Sequence, residues 1–312
     1  MGRNLIIGAV TNYGWNEVAP FFNSYARAGF GNCDCVMFVD GMTPKATDKM
    51  KATGIELIPI PERLKAGCVN DFRWELYTGY LKGHISDYDF VFTSDVRDAV
   101  FQDDVFNYCG DKPFLGIALE DGYLTENCNQ NWLMTRYGAE VYGSMKNERI
   151  ICTGTVWGTA SEFLKFSSAM SGHINSNDYP YFRVCDQASG NWLIYHEKIF
   201  SDDFLVKSEN SDGYVLTVGL THGSSIHLDA EGNVLNGKGG IAAVIHQYDR
   251  KPEIIEAVLK KYSQEMTLIG RLNLRKDKTG KISRRISGFM RRSRKNGFIG
   301  TLLTAVRKII SR

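Results

Sequence analysis

Short apolar runs alternate with segments of helical periodicity along the first hundred residues. Four of these runs have the length of a buried strand, at residues 5–10, 35–40, 55–60 and from 89 onward. Helical spacing of apolar residues lies between them, most clearly at residues 44–53 and 71–84. Alternating strands and helices form parallel βαβ units, so the sequence predicts an α/β fold with a Rossmann-like, mostly parallel central sheet flanked by helices.

The second half of the chain has a less regular pattern. It predicts strands at 114–119, 150–158 and 242–250, helices at 161–170, from 186 and at 252–262, and a β-hairpin within 213–236. We therefore expect one α/β domain over residues 1–262 and a separate basic, amphipathic helical tail over residues 263–312.

Polar residues follow the carboxyl ends of the predicted parallel strands. Thr11 and Asn12 end the first strand, Asp40 ends the second, and Asp95 and Asp98 end the fourth. Ligands of an open parallel sheet bind beyond these ends, so all three could line one cleft. No Gly-x-Gly-x-x-Gly or Gly-x-x-x-x-Gly-Lys-Ser/Thr follows the first strand, which argues against a dinucleotide fold or a P-loop kinase.

The fourth strand ends in two carboxylates with Arg97 between them, a pattern that indicates a metal-phosphate site. Asp98 equally fits the cap of a following helix, with Arg97 paired to either acid. His246, at the end of the last predicted strand, fits a metal ligand or a structural histidine. Asp186, in the first turn of a predicted helix, fits a partner of the helix dipole.

Composition narrows the class of protein. Of 312 residues, 43% are apolar and 12% aromatic, which is enough for a substantial core. No run of about 18 apolar residues occurs, and the first residues are too strand-like for a signal peptide, so we expect a cytoplasmic protein. The seven cysteines are scattered without a Cys-x-x-Cys pair, which favours reduced thiols over a zinc site.

Charge is distributed unevenly. Residues 271–312 contain 14 Lys and Arg and one acid, so this tail carries about +13 and the rest of the chain about −11. Apolar residues between 298 and 310 form one helical stripe, which predicts an amphipathic helix on an anionic membrane surface through residues 278–312. A solvated tail, or one packed on the acidic body, is the alternative. Binding to nucleic acid is the weaker alternative, because the body lacks a matching element.

Four segments, in the same order along the chain, resemble those of nucleotide-sugar-dependent glycosyltransferases of the GT-A fold. Residues 93–98 stand where that family has the Asp-x-Asp at a strand end, and residues 152–155 stand where it has an Asn-x-Gly strand. The other two segments are Asp186-Gln187 at the start of a helix and His246 near the end of the domain. The likeness is to bacterial cell-surface polysaccharide and lipopolysaccharide enzymes and, more broadly, to the glycogenin and lipopolysaccharide galactosyltransferase group. It implies transfer of a sugar from a nucleotide-sugar to a glycan or lipid-linked acceptor, by a peripheral enzyme on the cytoplasmic face of the membrane.

The resemblance also implies the roles of particular residues. Mn²⁺ or Mg²⁺ would be held by Asp95, Asp98 and His246. The donor would be bound by Thr11, Asn12, Asp40, Arg73, Arg97, Thr153 and Gly154. The catalytic candidates are Asp186, Gln187 and Glu120, with retention of configuration favoured over inversion.

One departure from the family pattern leaves two alternatives open. Arg97 stands where the second acid of Asp-x-Asp is expected, and Asp98 follows one place later. Either the strand ends at Asp95 and a turn brings Asp98 to the metal, or Arg97 binds the pyrophosphate instead. Two other functions fit the same residues: a metal-dependent phosphohydrolase or nucleotidyltransferase, and a non-catalytic nucleotide-sugar-binding module.

Overall fold

The computed structural model of this chain describes residues 2–176, 186–221 and 226–263. Apart from Ser263, the predicted tail over residues 263–312, with its membrane-binding segment 278–312, lies outside these residues. In the part of the chain that the structure describes, no helix is both long and apolar enough to cross a membrane. The first half of the fold consists of β1 (Arg3–Thr11), α1 (Trp15–Arg27), β2 (Cys33–Asp40), α2 (Pro44–Ala52), β3 (Glu56–Pro59), α3 (Val69–His84) and β4 (Tyr88–Ser94).

The second half contains shorter strands and four further helices. It consists of β5 (Ala99–Phe101), β6 (Leu115–Tyr123), α4 (Asn127–Met145), β7 (Arg149–Thr159), α5 (Ala160–Asn175), α6 (Asp186–Tyr195), β8 (Leu205–Ser208), β9 (Val215–Thr217), β10 (Ile226–Leu228), β11 (Val234–Asn236), β12 (Val244–His246) and α7 (Pro252–Tyr262). α4 is interrupted at Gly138, which adopts a positive φ of 83° that glycine tolerates.

A seven-stranded central sheet has the order β3-β2-β1-β4-β7-β6-β8. β3, β2, β1 and β4 are parallel, β7 is antiparallel to both β4 and β6, and β8 is parallel to β6. The predicted α/β fold with a mostly parallel sheet flanked by helices is therefore confirmed. The chain moves outward from β1 to β3 and then returns to place β4 on the other side of β1, so the strand order reverses between β1 and β4.

Both faces of the central sheet are buried, which explains why its strands read as continuous apolar runs. Leu5 and Ile7 of β1 face a core completed by α3, α5 and α6. Ile6 and Val10 face the opposite core, completed by α1 and α2. Because alternate residues of a strand point to opposite faces, one strand contributes to both layers.

A separate three-stranded sheet has the order β5-β12-β9. β12 is antiparallel to β5 and parallel to β9. The predicted hairpin over 213–236 is therefore wrong for its first part: β9 joins β12, and only β10 and β11 pair as a hairpin. The apolar residues of β9 are fully buried, and such a strand needs neighbours that a two-stranded hairpin cannot provide.

Candidate metal centre

The carboxyl end of β4 and the middle of β7 together fix the position of Asp95. Ser94 of β4 pairs with Thr155 of β7 in the sheet, and the next backbone N–H, that of Asp95, donates to the carbonyl of Gly154 over 2.8 Å. β4 ends at Ser94, so the chain is free to turn immediately afterwards. Asp95 is thus held by backbone pairing at the edge where the parallel strands end.

The three-stranded sheet brings His246 to the same place. His246 of β12 pairs with Ala99 of β5, the residue directly after Asp98. The Nε2 atom of His246 lies 3.5 Å from Oδ2 of Asp95 and 3.8 Å from Oδ1 of Asp98. One ligand atom from each of the three residues lies within 4.8 Å of the others, so the structure brings the three predicted metal ligands together.

Two features of this group fit a metal ion. Nε2 of His246 is buried and has no hydrogen-bond partner among the described residues, although it faces two carboxylates. Gly154 lies against the imidazole ring: a Cβ there would be 2.8 Å from Nε2 and 3.0 Å from Oδ2 of Asp95. Because glycine has no side chain, the imidazole ring and the Asp95 carboxylate can approach each other at this point. This explains on steric grounds why a glycine occupies this position of β7.

The electrostatics of the group favour a cation. Burial alone would raise the pKa of Asp95, but Arg73 and His246 hold it below its usual value. Burial raises the pKa of Asp98, against the opposing effect of Arg97 and His246. Two carboxylates and one imidazole are a ligand set that suits Mn²⁺ or Mg²⁺, with remaining positions for phosphate oxygens. This group could hold such an ion.

Arg73 links the candidate metal ligands to α6. Its guanidinium, 5% exposed, forms ion pairs with Asp95 and, over 2.5 Å, with Asp186, and it donates to the carbonyl of Thr153 over 3.0 Å. Burial opposes the charge of Arg73, but the two acids raise its pKa above the usual value. Burial raises the pKa of Asp186 to about 6, although Arg73 opposes the rise. The predicted donor-binding arginine and catalytic acid are therefore joined in one buried network.

The chain turns after β4, as the first of the two alternatives for Asp98 and Arg97 requires. The turn brings Asp98 into one group with Asp95 and His246. Arg97 contacts Asp98 over 2.8 Å and Asp249 over 2.6 Å, and 37% of its side chain is exposed. It contributes a partly exposed positive charge at the rim of the candidate metal site.

The predicted nucleoside residues form a group of their own at the same sheet edge. Thr11 pairs with Asp40 at the ends of β1 and β2. Asn12 adopts a left-handed conformation with φ of 60°, and its N–H donates to the carbonyl of Asp40 over 2.9 Å. The Asp40 carboxylate lies 3.5 Å from Nζ of Lys65. The two strand ends thus form a turned, polar edge beside β4.

The remaining catalytic candidates are Gln187, next to Asp186 in α6, and Glu120 of β6. Gln187 donates its backbone N–H to Asp186 over 2.8 Å and its side-chain amide to Asn129 over 3.0 Å. Glu120 of β6 is 4% exposed, and burial raises its pKa. Among the three candidates, Asp186 and Glu120 are buried and Gln187 is partly exposed.

Three residues of this region did not follow from the predicted roles: Cys152, Asn129 and Asp249. For Cys152 the signal was its place in the segment 152–155 that carries the resemblance, but its contact with His246 joins distant segments. Asn129 and Asp249 gave no comparable signal, because their contacts with Gln187 and Arg97 join distant segments.

The comparisons with known proteins do not identify a family for this chain. No protein-family model matches the chain, and the search of curated proteins found no match. The fold and the site therefore define the class by themselves. This is an α/β protein whose mostly parallel sheet carries, at its carboxyl edge, a carboxylate and histidine group that could hold a divalent metal ion.

Proposed function

We propose that this chain is a metal-dependent glycosyltransferase of the GT-A type, which moves a sugar from a nucleotide-sugar to a glycan or lipid-linked acceptor. One observation carries the proposal: Asp95, Asp98 and His246 meet beyond the end of β4, beside the point where the strand order reverses. Open α/β sheets bind their ligands in the crevice at that point, and the ligand set suits a metal-bound diphosphate.

The metal site would serve the departure of the nucleoside diphosphate. A divalent ion bound by Asp95, Asp98 and His246 would neutralise the negative charge that develops on the leaving diphosphate. Arg73 holds Asp95 in place and adds a positive charge next to it. Arg97, at the exposed rim, supplies a further donor for phosphate oxygens.

The other site residues suit the two ends of the donor. The edge formed by Thr11, Asn12 and Asp40 offers hydroxyl, amide and carboxylate groups to a nucleoside. Thr153 and Gly154 line the side of the metal group. Asp186 is buried and held by Arg73, so in the described conformation it acts through its negative charge rather than as a base open to solvent. This arrangement favours a retaining mechanism with Asp186 and Gln187 near the reacting sugar.

Binding and turnover test this function directly. The test is calorimetry of UDP and GDP with and without Mn²⁺, followed by measurement of free sugar released from UDP-glucose, UDP-galactose and GDP-mannose. We expect Mn²⁺-dependent nucleotide binding and slow sugar release, both lost in Asp95→Asn. Asp89→Asn is the matched control, because Asp89 is an exposed acid at the opposite end of β4.

The alternatives give different results in the same test. Absence of nucleotide binding in both conditions would overturn the proposal. Metal-dependent cleavage of phosphate esters or of nucleoside triphosphates without sugar release would favour a phosphohydrolase or nucleotidyltransferase. Metal-dependent binding of every donor without release or transfer of sugar would favour a non-catalytic nucleotide-sugar-binding module.

We also propose that the basic tail docks the protein on the cytoplasmic face of a membrane, where a lipid-linked acceptor would be reached. Its support is the sequence, with 14 Lys and Arg against one acid over residues 271–312. Flotation with phosphatidylserine and phosphatidylcholine vesicles tests it on the full chain. Binding to the vesicles that contain phosphatidylserine should be lost when six basic residues are replaced by glutamine. Unchanged binding of this variant would contradict the docking role of the tail. The substituted residues are Arg284, Arg285, Arg291, Arg292, Arg294 and Lys295.

A further inference from the structure

Cys152 lies directly behind the candidate metal ligand His246. It is 1% exposed on β7, and its Sγ lies 3.4 Å from Nδ1 of the imidazole. Gly154, two residues later in β7, lies on the other side of the same ring, where an added Cβ would be 2.8 Å from Nε2. β7 therefore touches the imidazole at both of its nitrogen edges, with a thiol on one side and a glycine on the other.

The two ring nitrogens have different surroundings, and this difference decides the tautomer that can bind a metal. Nε2 faces Asp95 and Asp98 and has no hydrogen-bond partner among the described residues. When Nε2 binds a metal, the ring proton is on Nδ1, which then needs an acceptor. The Cys152 sulfur is the atom in position to accept it.

Glu120 extends this contact away from the metal site. Ala118 of β6 pairs with Cys152 of β7, so Glu120, two residues further along β6, is a diagonal neighbour of Cys152 across the two strands. A sulfur that accepts from Nδ1 retains its own S–H, which can be donated to this neighbouring carboxyl. The side chains of Glu120, Cys152 and His246 thus form a series that runs from a buried acid, through a thiol, to an imidazole.

We propose that Cys152, supported by Glu120, is a positioning residue that fixes the tautomer and orientation of His246 so that Nε2 faces the metal ion. The inference rests on the metal site of the proposed function and deepens it. It assigns Glu120 a role in holding the ligand rather than in deprotonating the acceptor. A thiol takes the position that a carboxylate or carbonyl more often occupies behind a metal-binding histidine.

The test is the affinity of the full chain for Mn²⁺, measured by calorimetry in the absence of nucleotide. Loss of such a supporting group weakens metal binding about 10- to 100-fold, and we expect a loss in this range for Cys152→Ala. Cys152→Ser keeps a group that accepts from Nδ1 and donates to Glu120, so its affinity should lie close to that of the unsubstituted chain. Cys35→Ala, at a buried cysteine of β2 in the core, is the matched control and should leave affinity unchanged.

A spectroscopic measurement separates positioning from a general loss of structure. Pulsed electron paramagnetic resonance of bound Mn²⁺ should show coupling to a histidine nitrogen that His246→Gln removes. We expect Cys152→Ala to weaken that coupling and Glu120→Gln to alter it, with Cys152→Ser close to the original signal. Thermal unfolding of each variant verifies that the chain is folded under the conditions of measurement.

The outcomes distinguish the inference from the function on which it rests. Unaltered Mn²⁺ affinity and nitrogen coupling in Cys152→Ala would overturn the inference while leaving the metal site in place. Equal losses in Cys152→Ser and Cys152→Ala would also overturn it, because packing rather than hydrogen bonding would then explain the effect. An unsubstituted chain that binds no Mn²⁺ would instead overturn the metal site of the proposed function.

Discussion

The two halves of the fold are assembled in different ways. In the first half, β3, β2, β1 and β4 are parallel, and a helix joins each strand to the next along the chain. In the second half, β7 is antiparallel to β4 and β6, and β5, β9 and β12 form a separate small sheet. The first half is built mainly from βαβ units whose strands and helix are contiguous in sequence. The second half is built from strands that pair although they lie far apart in sequence.

The candidate site lies where these halves meet, and each half supplies part of it. Asp95 and Arg73 come from the first half, His246 and Asp186 from the second. The Arg73–Asp186 contact spans 113 residues, and the Cys152–His246 contact spans 94. The parallel half thus provides a scaffold edge, and the less regular half completes the site with buried polar contacts.

The largest expected effect comes from breaking the ion pairs that join the two halves. Arg73→Met removes the partner of Asp186, which is 2% exposed, and one partner of Asp95. Removing one member of a buried ion pair costs about 3–5 kcal/mol, because the remaining charge stays desolvated. Urea unfolding should show a lower midpoint with a similar slope.

Arg63→Met is the matched control for this loss. Arg63 pairs with Glu75 on the surface, with 66% of its side chain exposed, so solvent replaces the lost partner. Its unfolding midpoint should change far less than that of Arg73→Met. If the two substitutions had equal effects, the Arg73 network would not be what joins the halves.

A smaller effect is expected from filling the space beside the imidazole. Gly154→Ala would place a Cβ 2.8 Å from Nε2 of His246 and 3.0 Å from Oδ2 of Asp95. Adding a methyl group at a closely packed position costs about 1–3 kcal/mol, because neighbours must move. We expect thermal unfolding at a lower temperature together with weaker Mn²⁺ binding, since the displaced groups are the proposed ligands.

Gly79→Ala in α3 separates this steric effect from that of any glycine substitution. A Cβ at Gly79 would meet no atom within 4 Å, and alanine favours a helix by about 1 kcal/mol over glycine. This variant should be at least as stable as the original chain and should bind Mn²⁺ equally well. Full Mn²⁺ affinity in Gly154→Ala would contradict the role assigned to the glycine.

The first half of the fold could be predicted because its signals are local. The apolar runs gave β1 to β4, and Pro44 begins α2 at the first-turn position that proline suits. The polar residues after these strands could be assigned to one edge, since parallel strands end on the same side. Nothing beyond periodicity and sequence order was needed for this part.

The second half shows where that reasoning ends. β9 was predicted within a hairpin, yet its partner is β12, because strand pairing between distant segments leaves no periodic signal. His246 could be named as a ligand from its place in order, but its distance to Asp98 depends on the pairing of β12 with β5. The contact of Cys152 with His246 depends on side-chain packing and could not be read from spacing.

The smallest expected effect concerns an aromatic stack within the second half, formed by Tyr137 of α4, His173 of α5 and Trp192 of α6. The Tyr137 hydroxyl lies 2.9 Å from Nε2 of His173, and burial together with Arg136 lowers the pKa of His173 from 6.5 to about 4. The unfolded chain therefore binds a proton more readily, so stability contributed by the neutral ring is complete above pH 6.5 and is lost as pH falls towards 4.

His173→Gln removes this titration and should flatten the decline of unfolding free energy between pH 6.5 and pH 4. Because the ring is partly exposed, we expect the difference between the two chains to reach only on the order of 1 kcal/mol across that window. Urea unfolding at half-unit pH intervals measures it, with both chains compared to their own value at pH 7.5. If the free energy of unfolding declined equally in the two chains, His173 would not be held neutral in the folded protein. Packing between α4, α5 and α6 would then not depend on the charge of His173.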